Sequence, residues 1–139
     1  MTRAGQTGAW GQAPGADAIE ALARAAIERL PDVFRAYLGD VVLRIEEYAD
    51  DETLDALGID NPFDLSGLYR GRPVGTKSID DSGALPDMIF LYRRALLDEW
   101  VESGETLEAL VSHVLVHEVG HHFGLSDDDM HALEAAGGA

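Results

Sequence analysis

Between residues 17 and 38, Ile19, Leu22, Ala23, Ala26, Ile27 and Leu30 recur three and four apart, the spacing that gathers side chains on one helix face. Asp17 near the start serves as the expected cap. Val33, Phe34, Tyr37 and Leu38 carry the apolar face past Pro31, where a second turn begins, and Gly39 ends it. The period then changes. Residues 41–45 are short, β-branched and flanked by Gly39-Asp40 and an acidic stretch, so they predict a buried strand; residues 65–70 and 87–92 predict two more. Asp51–Leu57 fits one short helix. Gly71, Pro73 and Gly75 mark a loop, and residues 80–86 a turn-rich break. A short helix over residues 95–101 stops at Gly104.

The strongest helical pattern runs over residues 105–123. Thr106 or Ser103 caps its start, and Gly124 stands where a left-handed cap belongs. Leu107, Leu110, Val111, Val114 and Leu115 form an apolar stripe continuous with the face carrying His117, Glu118 and His121. Residues 109–117 hold no Asp, Glu, Lys or Arg. Such a helix is buried, and it buries Glu118 and the histidines with it. Buried polar groups need partners, and a metal supplies them. Ser126 and Asp129 have the spacing of a capping box for a last helix through Ala136. The glycine-rich residues 1–15 read as a flexible N-terminal tail and residues 16–139 as a single domain. Helix, strands, then helices define an α+β fold.

Composition narrows the function. Apolar residues make up 46% of the 139 positions, enough for a core. The 26 acids outnumber the 10 bases for a net charge of −16. No Lys/Arg cluster is present to neutralise phosphates, so neither nucleic acid nor an anionic membrane is an expected partner. The absence of cysteine removes disulfides, thiolate zinc sites and a cysteine nucleophile together. With no secretory apolar stretch near the start and no run long enough to span a bilayer, the expected location is cytoplasmic.

All five histidines lie between positions 113 and 131. His117-Glu118-Val119-Gly120-His121 is an H-E-x-x-H sequence, extended by Gly124 and Asp127 to H-E-x-x-H-x-x-G-x-x-D. Residues four apart share a helix face, so two imidazoles converge on one ion. Glu118, about 100° around the helix from His117, reaches a water beside the ion rather than the ion itself. Gly124 permits the positive φ that turns the chain back and delivers Asp127 as a third ligand, leaving one position open. A second reading makes Asp127 an ordinary first-turn acid of the following helix, with His131 as fallback ligand. His113 extends the histidine row by one turn and is read as a hydrogen-bonded core histidine in preference to a ligand of a second zinc. His122 is read as packing, or as orienting a neighbouring carboxylate.

The extended motif resembles the zincin metallopeptidases, and the phrase HEVGHHFGLSDDD resembles a small bacterial minimal-zincin group. The likeness is close over residues 110–131 and looser back to residue 41. It implies a small mixed β-sheet packed against an N-terminal helix and an active-site helix. It also implies Zn2+ held by His117, His121 and Asp127, with Glu118 as general base and a peptide or protein as substrate. One departure is plain: metzincins place a methionine turn beneath the metal, and here only Met130 lies downstream, inside the predicted last helix. The alternating strand at residues 87–92 is a candidate for the edge that pairs with substrate, and Tyr69 and Tyr92 are candidates to stabilise an oxyanion. Two other functions share these residues: a protein-interaction module that keeps zinc only to fold, and a hydrolase of a non-peptide amide or ester.

Overall fold

The computed structural model describes residues 11–38, 40–71, 87–124, 126 and 128, and only the backbone of Val33, Tyr37, His122 and Phe123. Trp10, Gly39, the break at residues 80–86, Asp127, His131, Met130 and the helix expected through Ala136 lie outside the described residues.

The first helical stretch is two helices, α1 (Ala16–Glu28) and α2 (Asp32–Tyr37). Gly15, not Asp17, is the N-cap of α1, and its carbonyl accepts from the Ala18 and Ile19 amides; Asp17 lies in the first turn. Pro31 opens α2, where its missing N–H costs nothing and its carbonyl accepts from Phe34 and Arg35. The expected tail is tied down at its end. Arg93 Nε donates to the Pro14 carbonyl at 2.7 Å and Arg93 Nη1 to Glu47 at 2.8 Å.

Then come β1 (Val42–Glu46), α3 (Asp51–Leu57), a 3-10 turn (Pro62–Asp64), β2 (Gly67–Arg70), β3 (Met88–Tyr92), α4 (Arg93–Ser103) and α5 (Leu107–Phe123). The Asp50 side chain caps α3 by accepting from the Thr53 amide at 2.8 Å, and the Thr53 side chain first and its amide second hold the Asp50 carboxyl below the usual range. Among the described residues no helix is long and apolar enough to cross a membrane.

The sheet is mixed, in the order β1-β3-β2. β1 runs parallel to β3 with Val42 opposite Met88, and β2 antiparallel with Gly67 opposite Leu91. This corrects the expectation for residues 87–92: β3 is the central strand, not an edge. It is covered on both faces, which is why its apolar run is continuous. β1, expected to be buried, is half-exposed and outermost among the described strands, with Arg44 turned to solvent.

Alternation along β3 divides the core. Ile89 and Leu91 join Leu43, Ile45 and Tyr69 beneath α1 and α5, whose Ile19, Ala23, Leu110, Val111, Leu115 and Val119 are buried there. Phe90 and Tyr92 face the other way, into a smaller cluster with Leu54 of α3, Leu68 and Ala95. Each large aliphatic side chain so buried contributes about 1.5–3 kcal/mol before entropy is counted. The result is an α+β architecture whose three-stranded mixed sheet packs on α1 and α5.

Candidate metal centre

The Thr106 hydroxyl caps α5 by accepting from the Ala109 amide at 3.0 Å. At the other end Gly124 adopts φ 68°, and its N–H reaches the carbonyls of Gly120 and His121. The helix therefore stops where the glycine allows the left-handed turn.

The last turns of α5 bring His117, Glu118 and His121 together, with one donor atom from each within 4.8 Å of the others. The two imidazole rings stand 4.7 Å apart at 63°. Glu118 is buried at 6% exposure and His117 is half-buried. The His121 side chain is 46% exposed, so the expectation that the helix buries both histidines holds only in part. The turn carrying Glu118 lies under β2, and His121 sits nearly one turn further on.

β2 shapes the floor of this site. The Ser66 carbonyl accepts from the Tyr92 amide at 2.9 Å. The antiparallel alternation then turns the backbone groups of Leu68 and Arg70 toward β3 and those of Gly67 and Tyr69 away from it. The Tyr69 amide is the group that hydrogen-bonds the Glu118 carboxylate. Gly67 makes that approach feasible: a Cβ there would stand 2.7 Å from Val114 Cγ1 and 3.4 Å from Glu118 Cγ. Neither contact was foreseen from sequence, although a glycine inside a strand pattern is a signal of close backbone approach.

Glu118 is only half satisfied. Its Oε1 has no hydrogen-bond partner, and His121 Nδ1 stands 3.3 Å away. Burial pushes its pKa up, against the opposing pull of His117 and the Tyr69 amide. Two imidazoles converging beside a buried, under-satisfied carboxylate fit a divalent cation, which satisfies such an acid without a proton.

The remaining residues singled out from sequence lie as follows. The Tyr69 hydroxyl donates to Asp87 Oδ2 at 3.2 Å; burial and the Asp87 charge raise its pKa. Tyr92 is 2% exposed on the sheet face away from α5, stacked on Phe90 at 6.1 Å. Burial pushes its hydroxyl up to about 12. His113 is exposed. Asp127 and the side chain of His122 lie outside the described residues.

A mixed α+β fold with a His-Glu-His donor group on a buried helix defines the class: a protein equipped to hold a metal beside a carboxylate. The family comparison agrees, for the zincin-like metallopeptidase model matches residues 38–137. The chain belongs to the zincin-like metallopeptidases, and the family implies a metal. No curated protein matches the chain.

Proposed function

We propose that the chain is a zinc-dependent metallopeptidase of the minimal-zincin type, in which His117, His121 and Asp127 hold zinc and Glu118 is the general base. The observation that carries this reading is the buried Glu118 carboxylate with Oε1 unpartnered beside two convergent imidazoles. A site that held zinc only for folding would close its coordination with a further ligand and have no use for such an acid. The bound ion would supply Lewis-acid chemistry, polarising the scissile carbonyl and lowering the pKa of a water to about 7.

Glu118 takes the proton from the attacking water as the C–O bond forms, then passes it to the amine as the C–N bond breaks. Its raised pKa favours the first transfer, because burial makes the carboxylate a stronger base toward the water proton. The Tyr69 amide holds the carboxylate beside β2 throughout.

The test is Glu118→Gln, assayed on a peptide that wild type cleaves and a chelator protects. Zinc content should stay near normal while hydrolysis falls by at least ~10²-fold, the low end for loss of a general base. His117→Ala and His121→Ala should each lose zinc. Cleavage by Glu118→Gln at the wild-type rate would end the mechanism. Failure of the zinc-loaded wild type to cut any peptide in a broad library would favour the non-enzymatic module.

A further inference from the structure

Among the described residues the buried polar side chains are Thr53, Asp87 and Glu118. Arg70 and Asp50 engage Thr53, and Glu118 belongs to the candidate metal centre. Asp87 is the buried acid outside that centre, at 6% exposure.

A buried carboxylate is costly unless hydrogen bonds satisfy it, and Asp87 is provided for. Its Oδ2 accepts from the Tyr69 hydroxyl at 3.2 Å. Its Oδ1 lies against Gly71, where any Cβ would collide with it. Its carbonyl accepts from the Val42 amide at 2.9 Å. One residue thus ties together the start of β1, the end of β2 and the start of β3.

The Tyr69 bond stands where the strand ladder gives out. Arg70 opposite Met88 is the last pair of β2 with β3, and Gly71 follows at a φ of 145°. The diagonal from Tyr69 to Asp87 carries the join one residue beyond that pair. Tyr69 is also the residue whose amide hydrogen-bonds the Glu118 carboxylate. Its side chain is held toward β3, while its amide points away from β3 and meets the acid.

We propose that Asp87 is a positioning residue for Glu118: by holding the Tyr69 hydroxyl it fixes the strand end whose amide holds the carboxylate, and so sets Glu118 Oε1 beside the two imidazoles. The effect on rate rests on the general-base reading of Glu118; the link itself does not. Burial and the Asp87 charge keep the Tyr69 hydroxyl protonated, so it remains a donor at neutral pH. A phenol has one proton to donate. Given to Asp87, that proton is not on offer to an oxyanion, and Tyr69 serves the site through its backbone.

Two readouts on the full chain separate this link from ordinary stabilisation. The first needs no metal: amide hydrogen exchange at position 69, followed by NMR in metal-free protein. The Phe90 amide, in the middle of β3, reports global unfolding. Tyr69→Phe and Asp87→Ala should each speed exchange at position 69 by about tenfold more than at Phe90, the scale of one hydrogen bond to a charged group. Asp87→Asn keeps an acceptor for the hydroxyl and should restore most of the protection. The second readout is the kcat of zinc-loaded protein on a peptide that wild type cleaves. Each of Tyr69→Phe and Asp87→Ala should lower kcat by about tenfold with KM little changed, since a 1 Å misplacement costs up to ~10²-fold. The double variant should be no slower than Asp87→Ala alone. On a Glu118→Gln background neither substitution should slow the residual rate further. Should Asp87→Ala fail to fold by circular dichroism, Tyr69→Phe carries both readouts.

Equal acceleration of exchange at position 69 and at Phe90 would overturn the link. Rate losses that add in the double variant would overturn it as well, because Asp87 would then act through another neighbour. So would a loss in Tyr69→Phe with Asp87→Ala at the wild-type rate, which would make the hydroxyl an oxyanion donor. If wild type cleaves no peptide while exchange responds as expected, the link stands and the peptidase reading falls.

Discussion

α1 and α5 pack against each other on the same face of the sheet, yet they reach the core by different rules. α1 is divided in the ordinary way. Ile19, Ala23 and Ala26 are buried, and its charged pair, Arg24 with Glu20 at 2.9 Å, stays in solvent. α5 is apolar over much of its circumference, burying Leu110, Val111, Val114, Leu115, Val116 and Val119, and among these it buries an acid. Burial alone accounts for the sequence of α1. It also accounts for α5 as far as Val116, and it would put a leucine at position 118. The departure from the folding rule falls at the candidate metal centre.

The largest expected effects test whether the two helices are equal partners in the core. Ile19→Ala and Leu115→Ala each remove a fully buried aliphatic side chain, and each should destabilise by about 2–5 kcal/mol in urea unfolding. A cost below about 1 kcal/mol at Leu115, with Ile19 costing several, would mean that α5 is not held as tightly as α1. Unchanged m-values would show that only the native state was affected.

Next in size is the contact that brings α5 under β2. Gly67→Ala puts a methyl group 2.7 Å from Val114 Cγ1 and 3.3 Å from the Phe90 carbonyl oxygen, so the helix or the strand must shift. Overpacking of this kind costs about 1–3 kcal/mol. Because the same methyl group meets Glu118 Cγ, zinc affinity measured by competition with a chromophoric chelator should fall as well. A neutral effect on both stability and metal affinity would show that the spacing is slack and that Gly67 has no part in placing Glu118.

How much of this was legible in the sequence follows from the range of each signal. The motif helix was readable because its information is local: periodicity, Thr106, Gly124 and the four-residue histidine spacing all lie within α5. The strands were found, each within about two residues of its bounds, but their order was not, since spacing along the chain says nothing about which strands become neighbours. Two clues to order were present. Met88-Ile89-Phe90-Leu91-Tyr92 has no polar break, as a central strand requires, while Arg44 and Glu46 mark β1 as an edge. The bond from the Tyr69 amide to Glu118 had no such clue, because any residue supplies an amide and only the fold chooses which one. Pro31 misled in the opposite direction: the apolar face resumes beyond it, but the helix does not continue through residues 29–31.

The smallest prediction isolates the cost of the acid that distinguishes α5 from α1. Burial raises the pKa of Glu118 above its ordinary 4.5 in the folded chain. The folded state therefore binds this proton more tightly than the unfolded state does. The stability it contributes is fully present below 4.5 and is lost as pH rises through the folded value. Glu118→Gln is neutral at every pH and keeps an oxygen for the Tyr69 amide. In metal-free protein, wild type and variant should have similar stability near pH 4, and the variant should be the more stable by about 1 kcal/mol at pH 7, the low end for an unsatisfied buried polar group. Asp50, whose cap on α3 lowers its pKa, titrates alike in both proteins and cancels from the difference. A difference between the two unfolding curves that stays constant from pH 4 to pH 7 would mean that the Glu118 carboxylate is satisfied without metal, and the contrast between the two helices would lose its physical basis.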